Sequence, residues 1–114
     1  MMLSHTAYLA SPYSDPDPDV RQRRFIDVCR AAARMMSRER VAVYSPVAHG
    51  HPIAEHGEID AMGHPFWLSQ CLPFLHAADE LVVLMLDGWR ESKGVASEVA
   101  KAHLLGIPVR YIEA

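Results

Sequence analysis

Cysteine is scarce in this chain of 114 residues: only Cys29 and Cys71 occur, far apart and outside any CxxC or zinc-knuckle spacing. Two such residues do not staple a small secreted domain, so both read as reduced thiols. Long apolar runs are missing too. The longest, Leu81 to Leu86, has six residues, against the roughly 20 a membrane-spanning helix requires. The opening Met1-Met2-Leu3-Ser4-His5 has no basic stretch followed by an apolar segment, so it does not read as a signal peptide. The expectation is a cytoplasmic protein with no membrane partner. Positive charge is not in excess: 11 Lys plus Arg face 14 Asp plus Glu, for a net charge of −3. That excludes a global basic field for a nucleic-acid polymer and leaves room for a local anion seat. Neither GxGxxG nor GxxxxGKS/T occurs, which argues against the standard dinucleotide and P-loop sites, and HExxH is absent as well.

What is present is ordinary for a globular protein, with 50% hydrophobic and 22% charged residues. The length fits a single domain, residues 1–114, with one real core. Thr6 to Ala10 is short, apolar and bounded by Ser11-Pro12, which suits a first strand. The acidic, proline-containing segment 14–19 ends as a helix start. Phe25, Val28, Cys29, Ala32, Met35 and Met36 then recur at helical spacing, with arginines 21, 23, 24, 30 and 34 as a solvated face. Arg40 to Ser45 reads as a second strand. Residues 46–65 are punctuated by proline and glycine and read as a long loop, of the kind that carries function. A helix from Phe66 to Leu75, kinked near Pro73, follows. Glu80 to Leu86 is a continuous apolar strand, as a central parallel strand should be. Gly94 to Leu105 reads as a third helix closed by Gly106, and Val109 to Ile112 as the last strand.

This alternation predicts one compact three-layer α/β domain, a Rossmann-like or flavodoxin-like parallel sheet flanked by helices. Such sheets bind ligands in the crevice beyond the carboxyl ends of their strands. Three segments meet there: 8–14 after the first strand, 87–94 after the central strand, and Glu98 on the helix that follows. Glu98 reads either as a carboxylate favoured by the helix dipole or as one ionised to face a sugar's anomeric carbon. Ser92-Lys93-Gly94 at a helix N-terminus is a natural anion seat. Trp89 would cover an aromatic base or anchor its loop. Tyr8 would be core or would hold a carboxylate, and Ser11 has the position of a ligand contact.

Together YLASPY (8–13), YSPVAH (44–49), AAD (77–79) and DGWRESKGVASEVAKAHLLGIPV (87–109) resemble the nucleoside 2-deoxyribosyltransferase-like superfamily. The likeness extends over nearly the whole chain and is greatest to its small members related to nucleotide N-glycoside hydrolases. The most specific piece is GW-x-x-S-x-G-x-x-x-E-x-x-x-A, here Gly88, Trp89, Ser92, Gly94, Glu98 and Ala102. The resemblance implies cleavage or transfer at the N-glycosidic bond of a (deoxy)nucleoside or its 5′-monophosphate, without a cofactor or metal. It makes Glu98 the nucleophile and Tyr8 the aromatic that orients it. It places Ser11, Pro12, Tyr13, Gly88, Trp89, Ser92 and Gly94 around the substrate.

The chain departs from that pattern in two ways. The second carboxylate, which helps protonate the leaving base, has no counterpart in 67–72. Asp60 or Glu58 of the long segment would replace it, or a histidine among His49, His51 and His64, since imidazole suits a general acid. The second departure is the extension past the last strand by which one subunit completes its neighbour's site; it is not expected here, so the homodimer or higher oligomer that the resemblance implies would use other surfaces. Exposed Phe66, Trp67 and Phe74 would serve. Two rival readings stand beside the enzyme: a nucleotide-binding or sensing module without chemistry, and a metal site built from His49, His51, His56 and His64.

Overall fold

The computed structural model describes residues 2–114. In chain order it contains β1 (Thr6–Ala10), α1 (Pro18–Arg38), β2 (Ala42–Tyr44), α2 (Pro46–Gly57), α3 (His64–His76), β3 (Glu80–Met85), α4 (Lys93–Leu105) and β4 (Val109–Glu113). The four strands form one sheet of order β2-β1-β3-β4, parallel throughout. The expected three-layer α/β domain is therefore what the chain forms.

Side-chain alternation along β1 and β3 builds both interior layers. Ala7, Leu9, Val82 and Leu84 point to one face, where Val28, Ala31 and Met35 of α1 and Val47 of α2 cover them. Tyr8, Ala10, Leu81 and Val83 point to the other, against Cys71 and Leu75 of α3 and Val95 and Ala102 of α4. Because both faces are buried, these strands carry no polar alternation. Among the described residues, no helix is long and apolar enough to cross a membrane.

One element differs from expectation. Residues 46–57 form helix α2 rather than loop. Ser45 is its N-cap, accepting a hydrogen bond from the Ala48 amide at 3.0 Å. Pro46 occupies the first turn, where its missing N–H goes unneeded and its fixed φ suits the helix. Pro52 lies inside the helix and removes one backbone donor. Glu58 ends it in the left-handed conformation (φ 57°). Pro46 thus starts the helix, and Gly50 and Pro52 lie within it without ending it. Of the three aromatics expected at a subunit surface, Phe66 and Phe74 are exposed. Trp67 turns inward, its indole Nε1 donating to the Asp60 carbonyl at 2.8 Å.

From β1 the chain crosses to β2 on one side, and from β2 it returns past β1 to β3 on the other. The connections leaving β1 and β3 therefore diverge and open a crevice between them. Asp79, just before β3, accepts from the Thr6 amide at 2.8 Å, at the opposite end of the sheet from this crevice.

Replacing Ser45 by alanine removes the α2 cap from a buried position, and a loss of about 1 kcal/mol in unfolding free energy is expected. Urea denaturation followed by circular dichroism measures it.

Candidate active site

The crevice is a cavity of about 1040 Å³ whose wall includes Ser11, Pro12 and Tyr13 after β1 and Gly88, Ser92, Gly94 and Glu98 after β3. The wall also includes Gly50 and His51 of α2, and His64, Trp67 and Cys71 of α3. This volume sits at the upper end of the range for small-molecule sites.

Glu98 lies on the stripe of α4 that also buries Val95 and Ala102, and is 8% exposed. Tyr8, on the matching face of β1, donates its hydroxyl to Glu98 Oε2. Burial pushes the Glu98 carboxyl up to about 7, and the Tyr8 hydrogen bond opposes that rise. The expectation that the helix dipole keeps this group ionised needs correcting. Glu98 sits in the second turn, where the dipole has faded, and desolvation wins. Burial and the facing carboxylate raise the Tyr8 phenol well above its ordinary range, so Tyr8 stays a donor. Its ring leans on Tyr44 at 5.6 Å, and Tyr44 donates to Cys71 Sγ at 3.8 Å.

Ser11 is 7% exposed, and its Oγ has no hydrogen-bond partner among the described residues. A buried hydroxyl without a partner is costly, and this one stands in the cavity wall. Ser92 caps α4, accepting from the Val95 amide at 3.2 Å, which leaves its own proton free to donate. Packing does not require glycine at 94, since a Cβ there would meet only Ser92 Oγ at 3.8 Å. Gly88 is different. Its φ is +90°, and a Cβ would stand 2.8 Å from Arg24 Nη2.

Arg24 is the residue that sequence reasoning missed. Its Nη1 donates to the Ser14 carbonyl at 3.1 Å and its Nη2 to the Asp87 carbonyl at 3.2 Å. One guanidinium thereby clasps the loops that leave β1 and β3, inside the cavity wall. The reading of the α1 arginines as a solvated face fails here and at Arg21, whose Nη1 donates to the Asp15 carbonyl at 2.5 Å. The signal was in the spacing. Arg21 and Arg24 continue the stripe of Val28, Ala31 and Met35 beyond the sheet edge.

Other expected site residues lie elsewhere. Trp89 is outside the cavity wall, packed on Tyr111 at 5.4 Å with the Arg90 guanidinium 5.1 Å from its ring centroid. His49 is exposed near Tyr44 and Phe74, also outside the wall. The Asp60 carboxylate is not in the wall either; it accepts from the Met62 amide at 2.9 Å. Helix α2 and the turn after it disperse His49, His51, His56 and His64. Among the described residues no group of three or more His, Cys, Asp or Glu is placed to hold a metal ion.

The parallel sheet with helices on both faces is similar to a deoxyribosyltransferase-type fold. The structure superposes on that of a 2-deoxyribosyltransferase from the psychrotolerant bacterium Bacillus psychrosaccharolyticus, described as a biocatalyst for synthesis of antiviral and antitumoral nucleosides. The TM-score is 0.66 at 23% identity, over 95% of this chain and 72% of that one. Residues 5–114 match the family described as a domain of unknown function, DUF1937, and the chain belongs to it. No curated protein matches.

Gly88→Ala should cost roughly 1–3 kcal/mol in backbone strain and displacement of Arg24, read by thermal and denaturant unfolding. Glu98→Gln should change stability with a defined pH dependence. A carboxyl raised in the folded state, from 4.5 to about 7, contributes stability below 4.5 that is lost as pH rises through 7. The variant should therefore gain stability relative to wild type over that interval, as urea titrations at stepped pH will show.

Proposed function

We propose that this protein cleaves the N-glycosidic bond of a (deoxy)nucleoside or its 5′-monophosphate, with Glu98 as nucleophile. The observation that carries the reading is the Glu98 carboxylate, buried in the crevice and held by the Tyr8 hydroxyl. A carboxylate so placed can add to an anomeric carbon or stabilise its positive charge. Tyr8 favours the ionised form and fixes which oxygen faces the cavity. The substrate's anionic end belongs near the α4 N-terminus, where Lys93 and Ser92 stand with Arg24 in the wall. Ser11 supplies a hydroxyl for the sugar or phosphate. The apolar stretch of the wall formed by Met62, Trp67 and Leu68 suits a nucleobase.

The test is release of free base from a panel of nucleosides and their 5′-monophosphates, followed by chromatography. Wild type should release base and Glu98→Gln should fall to background. Equal release by that variant would refute the nucleophile. Tight binding with no release from any member would leave a nucleotide-binding module instead. Tyr8→Phe removes the bond that lowers the Glu98 pKa, so its rate should drop more at pH 6 than at pH 8.5.

A further inference from the structure

The cavity wall that includes Glu98 holds a second hydrogen-bonded pair. Tyr13, from the loop after β1, lies 2.6 Å from His51 Nδ1 of α2. His51 Nε2 lies 2.8 Å from Gln22 Oε1 of α1. An amide oxygen only accepts, so Nε2 carries a proton and donates it. Nδ1 is then an acceptor for the Tyr13 hydroxyl when the ring is neutral, and a donor to the Tyr13 oxygen when the ring is protonated. The ring stacks on Phe25 at 4.3 Å and 25°, and its side chain is 10% exposed. Both nitrogens are engaged, so any proton His51 passes to the cavity goes through Tyr13.

The pair also stands on the correct side. Tyr13 packs with the α1–α2 layer, whereas Glu98 belongs to α4, on the other face of the sheet. A nucleophile below an anomeric carbon and a proton source beyond it are what departure of a base requires. We propose that Tyr13 is the general acid of the glycosidic reaction, delivering to the leaving nucleobase a proton that His51 resupplies. The inference rests on the glycosidic reading above.

The step balances as follows. Glu98 forms a bond to the anomeric carbon as the carbon–nitrogen bond breaks and its electron pair goes to the base. The base takes the Tyr13 proton, and Tyr13 takes the Nδ1 proton of the imidazolium. In the second half, water attacks from the side the base has left and frees Glu98. Its proton returns through Tyr13 to His51. The charged and titratable groups around His51 are Tyr13, Arg21 of α1 and Glu55, whose Oε2 is 3.9 Å from Nε2. Burial and Arg21 disfavour the imidazolium, and Glu55 favours it.

A substrate whose leaving group needs no proton separates this role from folding and from the glycosidic reading itself. Wild type, Tyr13→Phe, His51→Gln, His64→Gln and Glu98→Gln are compared on two substrates, a 2-deoxynucleoside 5′-monophosphate and 4-nitrophenyl 2-deoxyriboside 5-phosphate. First-turnover leaving-group release is recorded from pH 5 to 9. Tyr13→Phe and His51→Gln should lose about 10²–10⁴-fold on the nucleotide and stay within a few-fold of wild type on the nitrophenyl substrate. The wild-type rate should fall at high pH on the nucleotide and reach a plateau on the nitrophenyl substrate. Equal losses on both substrates, or none on the nucleotide, overturn the proposal. Selective loss in His64→Gln with His51→Gln unaffected also overturns it. If wild type cleaves neither substrate, the glycosidic reading fails together with it; cleavage by wild type with unaffected pair variants removes the pair alone. Should one variant fail to fold, the other variant and the wild-type pH profiles decide.

Discussion

A carboxylate with almost no solvent contact needs a donor, and in this protein a single hydroxyl supplies it across the core. The bond between Tyr8 and Glu98 joins β1 to α4, the helix that covers the same face of the sheet. It constrains most of what surrounds it. Tyr8 must point toward α4, so its neighbours Ala7 and Leu9 must point toward α1, and the alternation of β1 follows. Helix α4 must begin just after the β3 connection, with Ser92 as its cap, for Glu98 to fall on the stripe shared with Val95 and Ala102. Shifting β1 by one residue would turn Tyr8 to the wrong layer and leave the carboxylate buried without a partner.

The two helical layers hold different kinds of group. The α3–α4 side supplies a carboxyl, phenols and a thiol, each of which burial pushes above its ordinary range. The α1–α2 side supplies arginines, a glutamine and the engaged imidazole. Only the crevice between β1 and β3 brings them within reach of one molecule. Neither layer alone composes a site, which is why a strand order that reverses at β1 matters more than any one loop.

The sheet was legible because buried parallel strands write themselves as apolar runs, and 80–86 is one. That Glu98 reaches the crevice was legible through its place on α4 and the pattern around it. Helix α2 was not, because proline and glycine usually interrupt helices. The decisive clue was Ser45-Pro46, a cap followed by a residue suited to the first turn. Once residues 46–57 are read as helical, His49 and His51 separate: two positions apart on a helix they cannot share a face. Arg24 was hidden by composition, since arginine among arginines reads as solvated surface. Its continuation of the buried stripe carried the contrary information. The inward turn of Trp67 had no signal in spacing, because it depends on Gly50 in another helix offering room.

The Arg24 clasp grips two carbonyl oxygens and no side chain. Its partners at 14 and 87 are therefore chosen by the path of the main chain and not by what those residues carry. This geometry tolerates substitution at both positions, because any residue presents the same carbonyl. Position 88 has no such latitude, being bound by both its φ and the guanidinium beside it. A clasp directed at the backbone thus separates positions 14 and 87, where only the path of the chain matters, from 24 and 88, where the side chain or its absence does.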